Sequence, residues 1–567
     1  MRRDNRKVKG YLIEDMTQVI IITVAVLFIF FGAGYRKEQL DKKAYEEKLK
    51  KDYGKVNTRR LSSEDLKNIK GYTSYHTHDD IIDDITWNDL DMNLIYSKMN
   101  YCKSSAGDEY LYYTLRSPQT ADYDWSDIEN KINHLKEDSA YRTKLSVCLH
   151  DIGRSKNYSI YSYIDKLEEA KRTAPFMTLA GVLMYIPAIA VCFFNLIIGI
   201  SLVFVLAIYN IATYFKQKSI IEPYIVCFEY VFRILKNCDS ITQVINAGSD
   251  ILNEEMTDLV SVSDDFRSFK RFSSLVIGDL GNSPVGVILD YIKMLTHFDL
   301  IKFNTMLDQV KLHSNDIDKI ITIIGKIDCY ISIGEYRTSL SQYSIPKLND
   351  SFTGIKINDG YHPLLDNPVS NSIYTDKCVL LTGSNASGKS TFLKMVAVNA
   401  LLSQTIHTSC SKEYEAPYFS IYSSLSLKDS IITGESYYMV EIKTLKRIMD
   451  ASDNKKHVLG FVDEVLRGTN TTERIAASSA ILRNLSDKGV LVFAATHDLE
   501  LTSILDDIYD NYHFEEEMKH DDVTFPYKLS AGKATSRNAI KLLDILGYDK
   551  NIIKKANEIV KSMEERR

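Results

Sequence analysis

Gly383-Ser384-Asn385-Ala386-Ser387-Gly388-Lys389-Ser390 fits G-x-x-x-x-G-K-[ST] where an apolar run, Cys378-Val-Leu-Leu-Thr382, hands over to a helix-like stretch beginning at Phe392. In that context the stretch reads as a phosphate cradle. Backbone N–H groups of the glycine-bearing loop and of the helix N-terminus point at phosphate oxygens, and the helix dipole favours their negative charge. Residues 383–388 form the cradle, Lys389 reaches the β- and γ-phosphates, and Ser390, helped by Thr391, presents a hydroxyl to Mg²⁺. ATP with Mg²⁺ is the expected ligand.

A nucleoside triphosphatase also needs a carboxylate on a neighbouring strand and a second acid to orient water. His457-Val-Leu-Gly-Phe-Val-Asp463-Glu464 is an apolar run ending in both: Asp463 is expected at Mg²⁺ and Glu464 as general base or water-positioning group. Farther on, Gly489-Val-Leu-Val-Phe-Ala-Ala-Thr496-His497 reads as another buried strand, with His497 placed to sense the γ-phosphate.

The remaining composition bounds the setting. At 567 residues the chain holds several domains, and a formal net charge of -6 argues against a generally basic nucleic-acid coat. The eight cysteines lie far apart with no C-x-x-C pair, which suggests neither a zinc site nor a disulfide framework and fits a reducing compartment. Residues 17–35 and 176–215 carry no charge. A membrane-spanning helix takes about 20 apolar residues, so the second run is long enough to cross twice as a hairpin turning near Asn195. Basic residues on both flanks, Lys171-Arg172 and Lys216 with Lys218, place both ends of that hairpin in the cytoplasm. The first run has basic residues on both sides, so charge does not orient it. A cytoplasmic ATP site does, giving a multi-pass cell-membrane protein whose ATPase domain faces the cytoplasm. A cleaved signal peptide is disfavoured, because no small-residue cleavage site precedes Arg36.

The expected organisation is an anchor and basic linker over 1–60, with a span at about 17–35; a helical region over 61–345, interrupted by the hairpin at about 176–215; a nucleotide domain over 346–537; and a helical tail over 538–567. The fold class is an α/β P-loop NTPase domain joined to an all-α region and about three transmembrane helices. Loop signals fall at Ser104-Ser105-Ala106-Gly107 and Arg116-Ser117-Pro118. Two features resemble sites without the company a site needs. His76-Thr-His78-Asp79-Asp80 is read as a solvated loop and not a metal site, and Tyr110-Leu-Tyr112-Tyr113 as core and not a base-stacking platform.

Five segments in order resemble one family: GSNASGKST, TGESYYMVE (433–441), FVDEVLRGTNT (461–471), FAATHDLELT (493–502) and FPYKLSAGKATSRNAIKLLDILGY (525–548). Together with DGYHPLL (359–365) they are similar to the MutS-type, ABC-class ATPases over roughly 350–567, and weakly over 87–118. The resemblance implies a MutS-like core and lever in the helical region. It also implies a homodimer whose ATPase domains close head to tail, Gly434 and Ser436 acting in trans on the partner's γ-phosphate, and Gly468 and Thr469 in the loop after the acids. Tyr527 would stack on adenine, the tail would dimerise, and double-stranded DNA would be the partner. Glu435 stands where the family has arginine, and Tyr437 where it has threonine. About sixty residues precede the helical region, which leaves no room for the Phe-x-Glu wedge domain that reads mispairs or for the connector. Two functions follow: an ATP-driven clamp on DNA at the membrane, or ATP-driven signalling or force on a membrane protein without DNA. An ABC transporter is disfavoured, since no L-S-G-G-Q lies between Ser390 and Asp463.

Overall fold

The computed structural model describes residues 32–34, 36–37, 39–78, 80–155, 159–170, 172, 180–266, 291–384, 387–425, 437–466, 469–519, 522–534, 540 and 547–564. The expected first span therefore lies almost wholly outside the described residues.

The helical region is built around α1 (Asp84–Asp89), α2 (Ser105–Arg116), α3 (Ser126–Glu137), α4 (Ser139–Ile152), α5 (Tyr185–Phe194), α6 (Leu196–Ala247) and α7 (Ser314–Ser339). Its axis is α7, against which α2 and α3 pack. The expected loop at Ser104–Gly107 is instead the start of a helix. Ser104 caps α2 by accepting the Gly107 N–H, and Ala106 and Gly107 are helical and buried. A glycine is required there because a Cβ on Gly107 would collide with the Asp328 carboxylate of α7, just as one on Gly325 would collide with Tyr110. Asp328 is fully buried and accepts N–H bonds from Lys103 and Ser104 and the Ser104 hydroxyl at 2.6 Å. The tyrosines of the Tyr110–Tyr113 stretch pack in or against this core, as expected.

The apolar run folds as a helical hairpin. Asn195 ends α5 and caps α6, its side chain accepting the Ile198 N–H at 3.2 Å. The arms are unequal. Leu196–Ser219, 24 residues, is long and apolar enough to cross a bilayer, whereas the other arm, Ala180–Phe194, is a shorter apolar helix. Among the described residues, then, one helix and not three has spanning length. The hairpin's outer surface is apolar and open, with Phe193 87% and Phe194 91% exposed. α6 continues without a break to Ala247 and packs its second half on α4.

The nucleotide region holds β1 (Lys347–Leu348), β2 (Ile355–Gly360), β3 (Asn371–Thr375), β4 (Cys378–Thr382), α8 (Lys389–Thr405), β5 (Glu413–Ala416), β6 (Ser420–Ser424), α9 (Tyr437–Ser452), β7 (Val458–Asp463), α10 (Thr471–Asp487), β8 (Leu491–Ala495), β9 (Tyr509–Phe514), β10 (Glu517–Lys519), β11 (Asp522–Thr524) and β12 (Leu529–Ala531). β10 and β11 form a separate antiparallel pair. The main sheet runs β12-β9-β4-β8-β7-β6, parallel except for the edge strand β12, and a second sheet runs β1-β5-β2-β3. Residue type follows position. β4, flanked on both sides by parallel strands and covered on both faces, is buried at every residue, hence its unbroken apolar run. β8 lies between β4 and β7, so the chain after β8 emerges between the phosphate loop and the acids. Of the tail, helix α11 (Lys550–Glu564) is described, and residues 541–546 lie outside the described residues.

Two knots join the halves. Arg337 of α7, 1% exposed, gives two N–H bonds to Glu129 of α3, at 2.9 and 2.6 Å, and others to Thr408 Oγ1 and the carbonyls of Ile406 and His407. Beside α1, the Asp89 carboxylate accepts the Ser423 hydroxyl at 2.7 Å and the Leu425 N–H at 2.9 Å, and Asp91 pairs with Lys394 of α8 at 2.6 Å.

Candidate nucleotide site

A cleft of about 1010 Å³ opens at the carboxyl end of the parallel strands, the usual ligand position in such sheets. Gly388, Lys389, Ser390, Thr391, Asp463, Glu464 and Tyr527 all line it. The loop's glycines are obligatory for backbone reasons. Gly383 has φ 143° and Gly388 φ 109°, and a Cβ would stand 2.7 Å from the Phe514 carbonyl at the first and 3.1 Å from the Tyr527 ring at the second. Lys389, 5% exposed, donates from Nζ to the Gly383 and Ser384 carbonyls at 2.8 and 3.0 Å. The hydroxyl oxygens of Ser384 and Ser387 are buried without a hydrogen-bond partner, as donors aimed at an anion would be. Asn385 and Ala386 lie outside the described residues.

Residues 73 apart in sequence meet at the metal position: Ser390 Oγ donates to Asp463 Oδ2 at 2.6 Å. A hydroxyl and a carboxylate at the mouth of a phosphate loop are hard oxygen donors, which fits Mg²⁺. Directly after β7 the chain turns through two left-handed residues, Glu464 and Leu466, each at φ 58°. Such conformations cost non-glycine residues about 1–3 kcal/mol and cluster at functional sites. The Glu464 N–H is held by the Ala495 carbonyl at 2.9 Å and the Leu466 N–H by the buried carboxylate of Glu441 at 2.5 Å. The turn delivers Glu464 Oε1 to 2.6 Å from His497 Nε2. The structure thus brings together Lys389, Ser390, Asp463, Glu464 and His497. Gly434, Glu435, Ser436 and Gly468 lie outside the described residues. Thr469 sits at the start of α10, donating to Glu473 at 3.2 Å.

Tyr527 is no core tyrosine. It is 45% exposed, packs its ring against Gly388 and stands nearly parallel to Phe525. Asn371 of β3 fixes this segment, donating to the Tyr527 carbonyl at 3.0 Å and accepting the Leu529 N–H at 2.9 Å. His362, from DGYHPLL, forms part of the same wall. Burial, with the nearby Lys394 charge, holds its imidazole down from 6.5 to about 4, Asp91 opposing. The stretch at 76–80 is a largely exposed loop, as expected, with Thr77, His78 and Asp80 open to solvent and His76 part-buried. His76 pairs with Asp318 at 2.9 Å and stacks on Tyr72, while His78 bonds Ser117 at 3.0 Å; Asp79 lies outside the described residues.

Residues 379–564, which contain the loop, both acids, His497 and Tyr527, match the family described as MutS domain V. That match identifies the nucleotide domain as one of the MutS type. Its similar proteins include the DNA mismatch repair protein MutS of Natronomonas pharaonis, 27% identical over 273 residues, and that of Streptococcus pyogenes serotype M1, 30% over 270. The DNA mismatch repair protein MSH3 of Meyerozyma guilliermondii is 30% identical over 286 residues. These alignments cover 45–46% of this chain and 29–31% of the relatives, so the chain spans about a third of the length of the curated relatives it matches. Glu441, within the MutS-type match, and Asn371 and His362, just before it, hold the site from outside the phosphate loop and the acidic pair. Their only sequence signal is that His362 and Glu441 fall inside family-like segments.

Proposed function

We propose that the chain is a Mg²⁺-dependent ATPase, held at a membrane by its apolar hairpin with the nucleotide domain in the cytoplasm, that works as a homodimer to drive a clamp-like change in its helical region. The observation that carries the catalytic part is the convergence of Ser390, Asp463, Glu464 and His497 at one end of one sheet. The phosphate loop binds the triphosphate, Lys389 turning from its own carbonyls to the β- and γ-oxygens. Bound between Ser390 and Asp463, Mg²⁺ would neutralise phosphate charge. Glu464 accepts the proton of the attacking water, and His497 holds that carboxylate in place and faces the γ-phosphate. Tyr527 covers the base. Ser436 of a second copy completes the site in trans.

DNA is the partner that the names of the similar proteins support, in a mismatch-repair-like or DNA-structure-sensing role. The second reading, force or a signal passed to a membrane protein without DNA, draws on the exposed apolar hairpin within the helical region.

Glu464→Gln tests the catalytic assignment: ATP binding is retained and turnover falls by about 10²-fold or more, the usual worth of a general base. Unchanged turnover refutes it. DNA is tested by titrating linear, branched and mismatched duplexes against the detergent-solubilised chain. Phosphate contacts are strongest at low salt, so no binding at about 50 mM salt decides for the second reading.

A further inference from the structure

Glu464 and His497 reach their 2.6 Å contact from two separate strand ends, and neither end is regular secondary structure. One helix grips both. On α10, Ser478 donates its hydroxyl to the Val465 carbonyl at 3.2 Å, immediately after Glu464. Four residues earlier on the same helix, Arg474 gives two N–H bonds to the Asp498 carboxylate, Nε at 2.8 Å and Nη2 at 2.6 Å, immediately after His497. Positions i and i+4 lie on one helix face, so α10 acts as a caliper whose two tips set the spacing of the pair. The His497 side of the caliper has a second stay. The Thr496 N–H bonds the Leu381 carbonyl of β4 at 2.9 Å, and Thr496 Oγ1 accepts the Asp498 N–H at 3.0 Å. α10 itself is anchored where the loop after Glu464 ends, Asn470 capping it by accepting the Glu473 N–H at 3.0 Å.

We propose that the Arg474–Asp498 ion pair is a positioning element for catalysis: through the loop at residues 496–498 it sets the His497 imidazole against Glu464, touching neither nucleotide nor water itself. This inference rests on the ATPase reading above. The pair is partly open to solvent, with side-chain exposures of 25% and 13%. Its geometry carries the effect, because two parallel N–H···O bonds fix direction as well as distance.

Three variants of the full chain test it. Arg474→Lys keeps the charge and loses the fork; turnover falls about 10-fold or more, the scale set by a small misplacement of reacting groups, while the KM for ATP and the unfolding temperature stay close to the parent's. Reversing the pair, Arg474→Asp with Asp498→Arg, recovers turnover relative to either single change. In a His497→Ala background, Arg474→Lys lowers turnover no further, since residues acting as a unit are non-additive. Full turnover in Arg474→Lys, a KM that rises in step with the loss, or a further 10-fold loss on top of His497→Ala each overturns the proposal. Glu464→Gln separates the two levels. If it turns over ATP normally the ATPase reading has failed; if it is inactive and Arg474→Lys is fully active, only the positioning role has.

Discussion

Ser390 and Asp463 show how much one residue type at one position carries: a hydroxyl at the head of α8 and a carboxylate at the end of β7 make a 2.6 Å contact that the sequence motifs foretell and only the sheet order brings about. His362 shows the opposite. Nothing in its spacing marks it, yet it is buried in the cleft wall with its imidazole held at about 4. The consequence for stability has a definite sign. At pH 7.5 the ring is neutral in both the folded and the unfolded chain. Below 6.5 the unfolded chain takes up a proton that the folded chain refuses until about pH 4, so stability falls across that window. At pH 5 the loss is about 2 kcal/mol. Thermal unfolding followed between pH 7.5 and 5 is expected to show a drop in midpoint that His362→Gln reduces; an equal drop in the variant assigns it elsewhere.

At the scale of elements, local signals were legible wherever a strand or helix served the nucleotide. β4, β7 and β8 are runs of apolar residues because parallel neighbours cover them, and each leads into residues of the candidate site. What stayed illegible was side-chain company between elements far apart in sequence. Ser104-Ser-Ala-Gly107 has loop composition, but its glycine answers to Asp328 on α7, far along the chain. The Arg337 knot is of the same kind. Glu129 is pushed up by burial but pulled below its ordinary range by hydrogen bonds from His407 and Arg337. Replacing Arg337 by alanine strands that carboxylate at the seam between α3, α7 and the nucleotide region, and breaking such buried pairs costs about 3–5 kcal/mol. The expected result is a lower unfolding temperature and faster proteolysis near residues 406–408. Arg337→Ala with Glu129→Gln removes the stranded charge and is expected to recover part of the loss.

At the scale of the molecule, the sequence marked an apolar hairpin and its turn at Asn195, and the described residues place that turn between two apolar helices, one of them of spanning length. The hairpin's exposed apolar residues predict attachment to lipid. Co-flotation with phosphatidylcholine vesicles is expected for the parent chain and reduced for a variant with Phe193, Phe194, Ile197 and Phe204 all changed to aspartate, each change opposing burial in hydrocarbon by about 2.5–3.5 kcal/mol at mid-membrane and less near its surface. Equal flotation of the two would place attachment elsewhere. The helix that leaves this hairpin is 52 residues of unbroken α6, about 78 Å of rod with one half lodged against α4 and the other carrying the hairpin. A long helix multiplies angle into distance: moving as one body through Pro223, which has no N–H to give the Ser219 carbonyl, a tilt of its lodged half by about 5° swings the tip at Asn195 through roughly 7 Å. A small tilt of α4, on which the lodged half packs, would then arrive at the far end as a stroke several times larger, delivered sideways into whatever surrounds the hairpin.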